Sequence, residues 1–331
     1  MPFARRLPIA CLSLGACEGI GPPPPAASDL PVPKAIVPAP LCDRSPSEPF
    51  SFLVAGHLYG DPEKAAMPAG TFKRAIPALA ASGADLLVSC GDLFRIGIEQ
   101  YFDETARALA GLPFPVFNAP GNHDVADRAA YERRYGPTLG AFVHGGCLFV
   151  LLDTERTVWE IEGDQLRFLE RALSLAEERD DLRAVFCFAH KLVFCHRKRY
   201  FEVLVGGNAI DGLERKNRFV ETILPLLARV AREKPVVWCA GDIGTAHTLP
   251  AFFDRDPGSG VLFLATGIGD LPRDCVLRID VEGREVRPAL VPLSGGAAPA
   301  LEEFGPKAWA RHVFPGGMPP EIAAIRDSLP D

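Results

Sequence analysis

The chain lacks three things that would each decide its class at once. No apolar run approaches the roughly 18 residues of a membrane-spanning helix. Positive charge is not in excess: 35 Lys and Arg face 42 Asp and Glu, a formal net charge of −7, which argues against a nucleic-acid partner. No CxxC pair exists to hold zinc through thiolates. Nine cysteines are present, and setting aside Cys11 and Cys17 near the N-terminus leaves an odd seven in a long chain, so this is no disulfide scaffold. Cys90, Cys187 and Cys239 lie inside apolar runs, where cysteine packs as a small hydrophobe. There is no internal repeat.

What is present is 331 residues, 48% of them hydrophobic, enough for one large domain or two small ones. Residues 1–17 read as a signal peptide: "MPFARR" supplies positive charge, "LPIACLSLGA" an apolar core, and "LGAC" a lipobox-like end with Cys17 as the lipidated residue. The expectation is an exported protein of a bacterial cell envelope, either a membrane-anchored lipoprotein or periplasmic, touching the membrane only through that anchor. Residues 18–48, with "GPPPPAAS" and "LPVPKAIVPAP", read as an extended proline-rich tether. The domain proper is expected over 49–293, followed by an extension over 294–331 with short helices near Ala308 and Ile322.

Within the domain, short apolar runs predict strands at 50–55, 85–90, 115–118, 147–152, 183–189, 235–240, 260–265 and 275–281. Helical periodicity predicts helices at 70–82, 99–112, 126–135, 163–178 and 213–233. Strands separated by such helices imply right-handed crossovers and largely parallel sheet, with an antiparallel edge where the last two strands follow one another closely.

Five of these runs close on residues able to bind metal. "SFLVA" runs into His57, "DLLVSC" into "GDLF" with Asp92, and "PVFNAP" into "GNHD" with Asn122, His123 and Asp124. "AVFCFA" runs into His190, and "VVWCA" into "GDIG" with Asp242. Alone, each reads as a turn former, a helix cap or a hydrogen-bonded loop residue. Together they lie where the carboxyl ends of parallel strands form a crevice.

In this order the residues resemble the calcineurin-like metallophosphoesterases, whose pattern is Asp-x-His, Gly-Asp, Gly-Asn-His-Asp/Glu, a lone His and Gly-His-x-His. "GDLF" and "GNHD" match directly, His190 fits the lone histidine, and "LLDTERTVWEIEGDQLRFLERAL" adds a strand ending in Leu-Asp before a Gly-x-Gln-Leu helix start. The likeness covers roughly residues 50–290. It implies an α/β fold of two stacked mixed sheets flanked by helices, a four-layer α/β/β/α sandwich. It also implies hydrolysis of phosphomono- or diesters by divalent metal, which neutralises charge and activates water. By resemblance Asp92 bridges the metals, and His57, Asn122, His190 and Asp242 are the remaining ligand positions. His123 is the acid beside them, with Asp124 orienting its ring.

Three positions depart from the pattern. Ala55 stands for the Asp of Asp-x-His, Asp242 for the first histidine of Gly-His-x-His, and Gly244 for the second. Two of these fall on one metal position, so the expectation is one firmly bound ion rather than two, with Mn, Fe or Mg favoured over Zn by the added carboxylate. His247 lies nearby but fits no part of the pattern. "HRKRYF" at 196–201 reads either as a substrate-phosphate contact or as a solvated basic loop. The function expected is an exported, metal-dependent phosphoesterase-like hydrolase acting on a phosphorylated small molecule or lipid. The alternative is an inactive relative that binds a phospho-ligand or serves as an envelope interaction protein. The substrate and the oligomeric state are not legible.

Overall fold

The computed structural model describes residues 30–61, 63, 67–207, 217–243 and 249–331. In chain order the strands and α-helices are β1 (Phe50–Ala55), α1 (Gly70–Ala80), β2 (Leu87–Ser89), α2 (Glu99–Leu109), β3 (Val116–Asn118), α3 (Arg128–Tyr135), β4 (Gly140–His144) and β5 (Cys147–Leu151). There follow α4 (Gly163–Glu178), β6 (Ala184–Ala189), α5 (Phe201–Gly206), α6 (Leu224–Ala231), β7 (Val236–Ala240), β8 (Ala251–Arg255), β9 (Leu262–Thr266), β10 (Cys275–Glu282), β11 (Glu285–Pro292), α7 (Pro306–Val313) and α8 (Pro320–Asp327).

These strands form two sheets, ordered β11-β10-β1-β2-β3 and β4-β5-β6-β7-β9-β8. Parallel pairing joins β1 to β2 and β2 to β3 in the first, and β5 to β6, β6 to β7 and β7 to β9 in the second. Sheets covered on both faces need continuous apolar strands, which is why "SFLVA" and "VVWCA" show no alternation. From β1, Phe52 and Val54 point between the sheets, where Phe52 meets Phe149 and Phe186 at ring centroids 5.0 and 4.9 Å apart. Leu53 and Ala55 point outward and pack under Phe72, Leu79, Phe102 and Leu109 of α1 and α2. On the far side Phe168, Leu169 and Leu227 of α4 and α6 cover Val150, Val185 and Trp238. The α/β/β/α sandwich is thus what the strand and helix pattern led one to expect.

Three strands were not legible in the sequence: β4, β8 and β11 are antiparallel edges whose partly exposed faces interrupt the apolar signal. The two last expected strands also separate, β9 joining the second sheet and β10 pairing antiparallel with β1 in the first. The helix expected at 213–233 begins with a π-turn at Phe219–Ile223 before α6, and 208–216 lie outside the described residues.

The proline-rich segment is not a free tether over its described half. Leu30, Ile36 and Val37 are buried; Ile36 N donates to Val116 O at 2.7 Å and Ala141 N donates to Pro31 O at 2.8 Å. An extended chain without helix or strand partners of its own is suited to covering two sheet edges, here β3 and β4. At the other end Trp309 of α7 is fully buried and donates Nε1 to Ala251 O at 3.1 Å, so the extension is packed rather than loose. Among the described residues no helix is long and apolar enough to cross a membrane. The signal segment 1–17 and Cys17 lie outside the described residues.

Candidate active site

Glycines after the strands let the two sheets touch at one edge. A Cβ on Gly241 would stand 1.8 Å from Cys90 O, and one on Gly91, which has φ +84°, would stand 2.4 Å from Nδ1 of His190. Removing those side chains lets β2 and β7 deliver Asp92 and Asp242 to either side of His190.

The result is a row of charges. His57 Nε2 lies 3.5 Å from Asp92 Oδ2, Asp92 Oδ1 lies 3.5 Å from His190 Nε2, and that nitrogen lies 3.4 Å from Asp242 Oδ2. The row ends on Lys191, whose Nζ donates to the same Asp242 oxygen. All five residues are buried. Backbone carbonyls fix both imidazoles: Nδ1 of His190 donates to Cys90 O at 2.9 Å and Nδ1 of His57 to Ile268 O at 3.2 Å. A carbonyl only accepts, so each ring turns its other nitrogen toward the acids, the arrangement that outer hydrogen bonds give to ligating histidines.

Charge follows from this packing. Burial disfavours a charged His190, but Asp92 and Asp242 outweigh it and push its pKa up to about 9. For His57 burial prevails over Asp92, and the value falls below the ordinary one. Burial also opposes ionisation of Asp242, yet His190, Lys191 and His57 hold its carboxyl far below the usual range.

His123 sits at the mouth, half-buried. Its backbone N–H donates to Asp92 Oδ1 at 3.1 Å and its Nδ1 lies 2.7 Å from Arg95 O. Its Nε2 lies 3.2 Å from the hydroxyl of Tyr59, whose ring is packed between His57 and His123 at centroid distances of 4.2 and 4.7 Å. Burial and then Asp92 raise the Tyr59 pKa, keeping the hydroxyl protonated and able to donate.

The expectation that Asp124 orients His123 is corrected here. Asp124 accepts from Phe94 N at 2.9 Å, Gly121 N at 2.9 Å and Asn118 Nδ2 at 3.0 Å, so it braces the loop, while Arg95 O takes the imidazole. Burial, with Asp92 nearby, lifts its pKa to about 6 despite those bonds. Asn122 is exposed, and its side chain makes no hydrogen bond to the described residues. The structure therefore gathers His57, Asp92, His190 and Asp242 and places His123 beside them, with Asn122 exposed on the same loop. Gly244 and His247 lie outside the described residues.

Sequence reasoning missed Tyr59, Lys191 and Asn118. Lys191 had a signal, its place directly after His190, but adjacency cannot tell a solvent-facing lysine from a buried one. "HRKRYF" turns out to be ion-paired: Arg199 bonds Asp254 at 2.7 Å and Arg197 meets Asp256 at 3.0 Å. Asp254 pairs in register with Phe263, toward the end of β9 remote from Thr266 and the crevice.

The stacked sheets carry an acid–imidazole row at their carboxyl edge. Residues 68–224 match the model for calcineurin-like phosphoesterases. The match takes in Asp92, Asn122, His123, Asp124 and His190 and stops short of His57 and Asp242, the two ends of the row. No curated protein matches the sequence. Among solved structures, a solution NMR structure of Thermotoga maritima protein TM1076 is 12% identical and covers 73% of this chain and 99% of its own, with a TM-score of 0.32. A likeness that low carries no argument.

Calcineurin-like phosphoesterases bind divalent metals, and the residues present can be asked whether they fit. Among the described residues no three His, Cys, Asp or Glu form a ready-made metal group, because the donors stand in a row rather than round one point. Among the described residues the first position keeps His57 and a share of Asp92, because Ala55 is buried in the apolar layer. The Asp242 side offers donors for an ion. Nε2 of His190 is buried without a hydrogen-bond partner among the described residues, and Asp92 and Asp242 flank it just beyond bonding distance.

Proposed function

We propose that the chain is a phosphoesterase-like hydrolase using one divalent ion, held by Asp92, His190 and Asp242, with His57 beside them. The observation that carries this is the unpartnered Nε2 of His190 between two carboxylates. An unmet buried polar atom costs about 1–3 kcal/mol, a cost that a ligand bond removes. When bound, such an ion supplies charge neutralisation and an activated water. The chain's own part is positional and protonic. Asp92 accepts from His123 N, while Arg95 O keeps the proton of the imidazole on Nδ1. That leaves Nε2 as the exchange position for the leaving oxygen, with Tyr59 as its resting partner. Phosphorylated small molecules and lipids remain the substrate classes, with no nucleic acid and with export and Cys17 lipidation as parts of the same proposal.

A second reading, a phospho-ligand binder without turnover, is favoured by one observation: Lys191 already neutralises Asp242. Hydrolysis of a chromogenic phosphomonoester and diester with added Mn²⁺, alongside elemental analysis, separates the two. Turnover with one ion per chain supports the enzyme. Phosphate binding without turnover supports the binder. Export is tested by fractionation: Cys17→Ser should release the protein from membranes, and a wild-type protein already soluble with its signal intact sinks that part.

A further inference from the structure

At the edge of the sandwich opposite the crevice, three arginines line one cleft of about 420 Å³: Arg232, Arg255 and Arg284. Neighbouring arginines meet acids. Arg197 stands 3.0 Å from Asp256, Arg199 bonds Asp254 at 2.7 Å and Arg229 bonds Glu177 at 2.9 Å. Among the described residues these three have no carboxylate within ion-pair distance. Each comes from a different turn. Arg232 follows α6, Arg255 ends β8, and Arg284 lies in the two-residue turn between β10 and β11. Backbone carbonyls hold two of them: Arg255 Nη1 donates to Gly260 O at 3.4 Å, and Arg284 Nη1 to Glu233 O at 2.9 Å. Each such bond uses one of the five donors on a guanidinium. Lys234 also lines the cleft, but it is buried and its Nζ donates to Arg179 O at 2.7 Å. Of the two lining carboxylates, Glu285 meets Arg287 at 2.6 Å, which leaves Glu233 against three guanidiniums.

Like charges drawn into one cleft repel, and this chain has acids in excess, 42 against 35 bases. The C-terminus of α6 attracts a cation, which accounts for Arg232 alone. Arg255 and Arg284 come from strand turns, one from each sheet, and have no such reason to face it. Guanidinium forks match the paired oxygens of a phosphate, which a lysine meets only as a point charge. The cleft has the size of a small-ligand pocket. It is also separate from the crevice: β7 runs five residues from this edge toward Asp242, roughly 17 Å of extended chain.

We propose that Arg232, Arg255 and Arg284 form an anion site, apart from the crevice, that takes a phosphate group, either free or on an anionic lipid headgroup. Its test reads binding and not turnover, so it stands or falls independently of the hydrolase reading. The full chain in EDTA is titrated with inorganic phosphate by calorimetry at low salt. It is also sedimented with phosphatidylcholine vesicles with and without phosphatidylglycerol. Arg255→Gln or Arg284→Gln should weaken binding by about tenfold, the loss of one charge-assisted hydrogen bond. Changing all three arginines to Gln should abolish it. All three positions are exposed, so the variants should keep the wild-type circular dichroism. Changing all three to Lys keeps the charge without the fork and should bind well below wild type. Phosphate taken up from solution assigns the free anion; arginine-dependent binding confined to phosphatidylglycerol vesicles assigns the headgroup. Equal binding by wild type and the triple Gln variant in both assays, none at all included, overturns the proposal. So does a triple Lys variant equal to wild type, which would reduce the cleft to diffuse charge.

Discussion

The hydroxyl of Tyr59 stands 3.2 Å from Nε2 of His123, and their rings lie 4.7 Å apart. This contact occupies the nitrogen through which His123 would exchange a proton. It is one neutral hydrogen bond, worth about 0.5–1.5 kcal/mol net. Tyr59→Phe should therefore change kcat by less than about tenfold and leave the fold intact, since Arg95 O still holds the other nitrogen. A steady-state assay with circular dichroism checks this; a loss as large as that of His123→Ala would show that Tyr59 is itself the proton donor.

Asp242 and Lys191 make a buried pair whose partners are not equally replaceable. Asp242→Asn leaves an ammonium in the interior, and breaking such a pair typically costs about 3–5 kcal/mol. Urea unfolding should register that loss, and Asp242→Asn with Lys191→Met should recover much of it. A single variant as stable as wild type would mean that water reaches the lysine.

The sandwich was legible because parallel strands buried on both faces must be continuously apolar, and their ends announced themselves by glycine followed by a polar residue. The edges β4, β8 and β11 were not, since one partly exposed face breaks the run. In the site, Asp92, His190 and Asp242 could be read from strand ends. The role of Asp124 could not, because loop geometry decides which neighbour a side chain meets. Lys191 was invisible for a different reason: a lysine beside a histidine is ordinary in sequence, and only the closing of β6 on β7 buries it against Asp242.

His196 gives an acid-sensitivity that is independent of the crevice chemistry. Burial alone lowers its pKa to about 4. An unfolded histidine titrates near ~6.5, so between about pH 6.5 and 4 the unfolded chain takes up a proton that the folded one refuses. Stability from this group is intact above that window and falls through it, by roughly 3 kcal/mol in all. Replacing it by Gln should flatten that part of the pH profile in urea titrations at pH 7 and pH 5. An unchanged slope would show that His196 protonates without unfolding.

Trp309 fastens the C-terminal extension to β8. Its indole is fully buried and bonded to Ala251 O. Trp309→Ala should cost about 3–5 kcal/mol. It should also expose 306–331 to limited proteolysis before the sandwich itself is cut. Protease resistance equal to wild type would show that the extension is held elsewhere.

The central claim, one ion held by the acid–imidazole row with His123 acting beside it, is tested most directly by measuring metal content and Mn²⁺-dependent phosphoester hydrolysis on the same samples of wild type and His123→Ala. The account predicts one ion per chain in both, and a fall in turnover of about 10²–10⁴-fold in the variant. Loss of the ion in His123→Ala, or a wild type that binds Mn²⁺ without hydrolysing either ester, would contradict it.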